Sequence, residues 1–279
     1  MSLIQWYPGH IAKAERKLKE HLKLVDVVLE VRDARIPLAS HHPQVDDWIG
    51  NKPRLLILNR LDMIPESAHQ QWVTWFKSQG KTVYFTNAKQ GERVKAIIKA
   101  AEKIGDEINQ KRQLRGMLPR PVRAVVIGFP NVGKSALINR LLGRKVVASA
   151  RRAGVTRQLQ WVRISDTLEL LDAPGVIPSR LDNQRDAVKL AICEDIGDAG
   201  YDNQRIAAAF VDLSIELHYE GLLQSRYGLN TLDMTGEDFI EKLANLKYQE
   251  DKERAAMQLL NDFRKGIIGA IPLELPPSS

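Results

Sequence analysis

The sequence predicts an α/β fold: a doubly wound domain on a largely parallel sheet over residues 1–180, then a small all-α domain over 181–279. Three observations predict it. Apolar runs of strand length alternate with amphipathic helical stretches through the first part. A Gly-x-x-x-x-Gly-Lys-Ser run stands between one such strand and one such helix. Beyond about Pro178 only helical periodicity remains.

Each element has its own reason. Residues 12–24 space Ala14, Leu18 and Leu22 four apart among Lys and Glu, which predicts an amphipathic helix. Val25 to Val31 is a β-branched strand ending in an Arg32-Asp33-Ala34-Arg35-Ile36-Pro37 turn, and Leu55 to Leu58 is a buried strand. Residues 66–79 are helical, Thr82 to Phe85 is a third strand, and Arg93 to Ile108 carries Val94, Ile97, Ala101 and Ile104 on one face. Asn109 to Pro121 is polar, basic and Pro-containing, hence a connector. Val122 to Ile127, Gln158 to Ile164 and Leu168 to Leu171 are strands, with a helix at Lys134 to Leu142. Helices follow at Ile206 to Leu223, Gly236 to Leu246 and Asp251 to Ile268, and the end from Pro272 is expected to be a loose tail.

Composition narrows the function. With 279 residues and 44% hydrophobic content the chain can bury a substantial core, which excludes a disordered chain or mini-protein. No apolar run nears the roughly 18–20 residues that span a bilayer. A single cysteine, Cys193, excludes an internal disulfide and a Cys-rich zinc site, and as a lone helical cysteine it is expected to fill core. Residues 1–180 hold 31 Lys and Arg against 16 Asp and Glu, while 181–279 hold 10 against 18. Residues 108–165 hold thirteen Lys and Arg and no acid, either a solvated face or a surface turned to phosphate.

The phosphate reading has a specific carrier, Gly128-Phe129-Pro130-Asn131-Val132-Gly133-Lys134-Ser135. In such a loop backbone N–H groups and the helix N-terminus cradle a β-phosphate, Lys134 bridges β- and γ-oxygens, and Ser135 binds Mg²⁺. Downstream stand Thr156 in Gly-Val-Thr and Asp172 in Asp172-Ala173-Pro174-Gly175. Asp at a strand tip holds Mg²⁺, and the following glycine brings an N–H to the γ-phosphate. Alone, each fragment is also an ordinary turn. Upstream, Asn59-Arg60-Leu61-Asp62 follows a strand at the ligand-binding edge, where an aspartate accepts from guanine N1–H and the exocyclic amine and leaves adenine unmatched. Thr86-Asn87-Ala88-Lys89 follows the next strand and can offer an N–H to the base carbonyl.

This set, with base motifs before the phosphate loop, resembles the circularly permuted GTPases. Trp6-Tyr7-Pro8-Gly9-His10-Ile11-Ala12-Lys13, Asp33-Ala34-Arg35-Ile36-Pro37 and the helical C-terminal part resemble one subfamily, ribosome biogenesis GTPase A, over essentially the whole chain. The resemblance implies a P-loop GTPase domain with permuted motif order. It implies GTP contacts from Asn59, Arg60, Leu61, Asp62, Asn87, Ala88, Asn131, Val132, Gly133, Lys134, Ser135, Ala136, Thr156 and Gly175, with Mg²⁺ on Ser135, Thr156 and Asp172. It also implies a large ribosomal subunit partner, rRNA and ribosomal protein together, a late assembly step, and a monomer in the cytoplasm with no membrane contact. Arg60 replaces the family's usual Lys, Asn87 its Ser, and Ala153 a common Pro. Where many GTPases place a water-orienting Gln, this chain has Val176, which implies slow turnover alone and a catalytic group from elsewhere. His10 is expected to serve beside Lys134 and Thr156, or else to cap the helix that follows it. Asn131 is the expected K⁺ ligand, and Arg151, Arg152 and Arg157 either stabilise charge or contact rRNA. Residues 176–185 would link loss of the γ-phosphate to the helical domain. Two other classes remain: a nucleotide-gated RNA-binding scaffold with incidental hydrolysis, and a metabolic P-loop kinase, against which the Asn-x-x-Asp element argues.

Overall fold

The computed structural model describes residues 8–143, 161–172, 183–196 and 201–277. Helix α1 (Pro8–Leu22) leads into β1 (Val27–Asp33), α2 (Val45–Ile49), β2 (Arg54–Asn59), α3 (Glu66–Ser78), β3 (Val83–Thr86), α4 (Val94–Gln113), β4 (Val122–Ile127), α5 (Lys134–Leu141), β5 (Trp161–Arg163) and β6 (Leu168–Asp172). Helices α6 (Gln184–Ile192), α7 (Asn203–Glu216), α8 (Glu220–Tyr227), α9 (Gly236–Lys247) and α10 (Lys252–Arg264) follow. The sheet runs β3-β2-β1-β4-β6-β5, parallel except where β5 meets β6.

Strand alternation decides which helices cover which face. Val27, Leu29, Val31, Ala124 and Val126 join Ile97 and Ala101 of α4 and Leu137 and Ile138 of α5. Val28, Val125 and Ile127 join Leu18 and Leu22 of α1 and Val45 and Ile49 of α2, while Leu56 and Leu58 meet Trp72 and Phe76 of α3. Both faces are therefore covered, as a parallel sheet requires. The α4/α5 cluster continues without a break into Leu190, Phe210, Phe239, Leu259 and Phe263 of the C-terminal helices. Asn183, Asp202, Thr235 and Asp251 start α6, α7, α9 and α10, each accepting from first-turn N–H groups. The expected boundary near residue 180 lies outside the described residues.

Several expectations are corrected. Helix α1 begins at Pro8, four residues before the predicted start, so His10 sits in its first turn rather than ahead of it as a cap. Strand β1 continues through Arg32 and Asp33, predicted as turn, because ion pairs to Glu30 and Arg35 make those charges compatible with burial. Helix α4 takes in residues 109–113 of the expected connector. Asn109 does not break it; its amide donates to Arg120 O and accepts from Arg120 N, pinning the returning loop. The predicted 206–223 helix is two helices. His218 adopts φ 62° and Tyr219 N–H reaches back to Ser214 O at 2.7 Å, a Schellman closure of α7. Gly266, at φ 74°, closes α10 in the same way before Ile268. Helices α2 and α6 were not predicted. The end from Pro272 is no loose tail: Ile271 and Leu273 are buried, and Leu273 N–H donates to Arg35 O at 2.9 Å. Glu274 accepts from the Leu38 and Ala39 N–H groups and pairs with Lys189 at 2.9 Å. Cys193 is a buried free thiol, its pKa pushed up by burial, as core filler should be.

Candidate nucleotide site

Of the sequence-predicted residues, Asn59, Arg60, Asn87, Ala88 and the run Asn131 to Ser135 lie together where β2, β3 and β4 end, the ligand-binding edge of a doubly wound sheet. The loop between β4 and α5 curls tightly. Gly128 has φ 146°, and a Cβ there would stand 2.2 Å from Val31 O; Gly133 has φ 99°, and its Cβ would stand 2.1 Å from Asn59 Nδ2. Only glycine permits both approaches. Inside the curl the largely buried Lys134 donates from Nζ to Gly128 O at 3.2 Å and Phe129 O at 2.7 Å. Val132 is buried, Ser135 and Ala136 lie half-buried on the first turn of α5, and Asp172 ends β6 beside Val126 of β4. Thr156, Gly175, Ala153, Val176, Arg151, Arg152, Arg157 and most of the 176–185 link lie outside the described residues. So does the side chain of His10.

Asn59 joins the two halves. At the last position of β2 it is buried, donates from Nδ2 to Val132 O at 2.8 Å, and accepts at Oδ1 from Ala88 N at 3.0 Å. One amide thereby fixes the phosphate loop against the turn after β3. Asn87 is buried and accepts from Gln90 N at 3.1 Å. Arg140 of α5 adds a second tie, donating to Ala88 O and Lys89 O. Arg60 takes the left-handed conformation at φ 67° and donates from Nη2 to Asn131 O at 2.6 Å. That turns the chain into the 3-10 turn Leu61–Met63, where Leu61 is buried and Asp62 exposed. Asn131, at φ 57°, donates from Nδ2 to Glu194 O at 2.7 Å, tying the phosphate loop to the end of α6.

A buried charge cluster supports this edge. Burial would raise Asp33, but Arg35 and Arg60 outweigh it and hold the carboxyl below its usual range. Burial would lower Arg35, but Asp33 keeps it firmly charged. Asp195 is fully buried, and neither carboxylate oxygen has a hydrogen-bond partner among the described residues. Burial, with the negative Asp33 nearby, pushes it up to about 8. Arg140, Glu194 and Asp195 had no motif to announce them, whereas Arg35 stood in the Asp33-Ala34-Arg35-Ile36-Pro37 motif without a role assigned to it.

A phosphate loop on the fourth strand and a base-side motif on the second define a P-loop nucleotide hydrolase with permuted motif order. Ser135, half-buried on the first turn of α5, carries a hard hydroxyl oxygen of the kind Mg²⁺ takes, and the close backbone approaches at Gly128 and Gly133 fix the curl that precedes it. Known proteins agree. Residues 123–255 match a family model described as 50S ribosome-binding GTPase. Ribosome biogenesis GTPase A of Bacillus cereus is 36% identical, covering 98% of this chain and 94% of its own. That of Thermotoga maritima is 31% identical over 98% and 95%. The crystal structure of GNP-bound YlqF from T. maritima superposes with a TM-score of 0.66 at 28% identity, covering 96% of this chain and all of that one. The chain belongs to the ribosome biogenesis GTPase A family, and it is a GTP hydrolase.

Proposed function

We propose that the chain binds GTP and Mg²⁺ at this edge and hydrolyses GTP on the maturing large ribosomal subunit, supporting a late step of its assembly. The observation that carries the nucleotide reading is Asn59, whose single amide braces the phosphate loop and the base-side turn together. The basic run, the family model's description and the relatives' names support the ribosomal partner, with contacts to rRNA and ribosomal protein. The protein acts as a cytoplasmic monomer; among the described residues no helix is long and apolar enough to cross a membrane.

Backbone N–H groups of residues 131–135 and the start of α5 receive the β-phosphate, and Lys134 moves from the loop carbonyls onto the β- and γ-oxygens. Ser135, Thr156 and Asp172 hold Mg²⁺, which neutralises charge on the phosphates when bound. The Gly175 N–H meets the γ-phosphate. Asp62 accepts from guanine N1–H and its amine, the Arg60 stem lies along the base, and the Asn87-Ala88 turn faces the base carbonyl. Since Ala88 N–H is given to Asn59, that turn contributes shape and its remaining donors. Val176 cannot orient water, so His10 supplies that function once α1 meets the subunit. Asn131 gives its nitrogen to Glu194 and retains its oxygen for K⁺.

The test is GTP turnover, with ATP as control, in physiological K⁺ with and without purified large or small subunits. GTP-only turnover raised by the large subunit supports the proposal. Tight GTP binding with no stimulation by the large subunit refutes the partner, and equal turnover of ATP refutes the base reading. Loss of K⁺ preference over Na⁺ in Asn131→Ala supports the K⁺ role, and no preference in the native protein refutes it.

A further inference from the structure

Asp33 ends β1 with its side chain fully buried, where an unpaired carboxylate is costly. Oδ1 accepts from Arg35 N at 2.9 Å and Arg35 Nε at 3.0 Å, and Oδ2 from Arg35 Nη2 at 2.7 Å. The same Oδ2 lies 3.3 Å from Nε of Arg60, whose Nη2 bonds Asn131 O at 2.6 Å. The Arg60 guanidinium is therefore held at two points, the end of β1 and the phosphate loop. Arginine can do this because Nε and Nη2 are separate donors in a rigid fork; a lysine ammonium is one point on a flexible stem. The bridge gives a physical reason for arginine where the resembled family carries lysine.

We propose that Asp33 is a positioning residue for the guanine pocket. It touches no nucleotide, yet it sets where Arg60 lies and so how tightly the base is held. The proposal rests on the reading of Arg60 as a wall of that pocket. Arg35 is the opposite arm of the same carboxylate. Its Cζ stands 5.0 Å from the ring centroid of Phe263 in α10, so one buried anion serves a cation on the nucleotide side and another on the C-terminal helices. Holding both cations costs no extra anion, and neither can leave without exposing Asp33 to the other alone.

The test is a double-mutant cycle on guanine-nucleotide affinity, read with a fluorescent GDP, with kcat measured at saturating GTP. Asp33→Asn and Arg60→Ala are each expected to raise Kd about tenfold, and Asp33→Asn, which alters no group in contact with the nucleotide, to keep kcat within about twofold. In the Arg60→Ala background, Asp33→Asn is expected to add little. Additive losses overturn the proposal, since Asp33 then acts through general stability. If Arg60→Ala leaves Kd unchanged, the base-pocket reading falls and the proposal with it; if Arg60→Ala weakens binding and Asp33→Asn does not, the proposal alone falls. Should Asp33→Asn fail to fold for want of a partner to Arg35, Arg60→Lys decides, because it leaves the buried Asp33–Arg35 pair intact. It is expected to weaken GDP binding at least threefold, and native affinity overturns the bridge.

Discussion

Replacing Asn59 by alanine removes a donor to Val132 O and an acceptor for Ala88 N–H, both within a buried junction. The amide is the costlier orphan, about 2 kcal/mol, and the carbonyl, which keeps a second lone pair, adds about 1 kcal/mol. Water reaching the gap recovers part, so Asn59→Ala should lose about 2–3 kcal/mol of stability in urea denaturation at unchanged m-value. Because the two groups belong to the two nucleotide loops, Kd for GDP should rise at least tenfold in the same variant. Asn59→Asp sharpens the test. It keeps the acceptor for Ala88 but sets a carboxylate oxygen against Val132 O, where the native Nδ2 lies at 2.8 Å. It should therefore be at least as harmful as alanine, although it is closer in shape. A stability change under about 0.5 kcal/mol, with GDP affinity within twofold, would refute the idea that this amide braces the site.

Three further outcomes are expected. Asp62→Asn should shift preference from guanine to xanthine nucleotides, because the amide can donate to the xanthine 2-carbonyl where the carboxylate accepted from the guanine amine; competition binding with the two nucleotides measures it, and unchanged guanine preference would count against Asp62. Leu273→Ala should cost about 2–4 kcal/mol in chemical denaturation, and a neutral result would return the C-terminal segment to a loose tail. Asp195 has a folded value near 8 against an ordinary 3.8, so the folded state binds a proton that the unfolded chain releases. Its favourable contribution is complete below about 3.8 and is lost as pH rises toward 8. Stability should consequently fall between about pH 4 and 8, and Asp195→Asn should flatten that slope; parallel slopes for the two proteins would sink the assignment.

What was legible in the sequence was whatever local periodicity and backbone demand fix. Val122 to Ile127 is bounded as predicted because Pro121 precedes it and Gly128 follows. The Gly128-to-Ser135 loop was readable because its glycines answer steric requirements that no other residue meets. Long-range satisfaction was not legible. Arg32 and Asp33 look like turn residues until their partners Glu30, Arg35 and Arg60 are known. Glu274 resembles a tail residue until the N–H groups of Leu38 and Ala39 are found beside it. Helix ends set by His218 escaped for a different reason: histidine carries no local signal for positive φ, whereas Gly266 did and was overlooked within an apolar face.

The docking of residues 271–274 onto residues 35–39 closes a long loop, with bonds spanning 235 and 236 positions. Synthesis proceeds from the N-terminus, so Asn59, Arg60 and Asp62 are made first, the phosphate loop second, and the segment that secures the loop after β1 last of all. Contacts at such separation form late, because loop closure must precede any gain from them. The rotated motif order thus has a temporal side: the half proposed to hold the base must wait, unanchored at one edge, until residues 271–274 have been made.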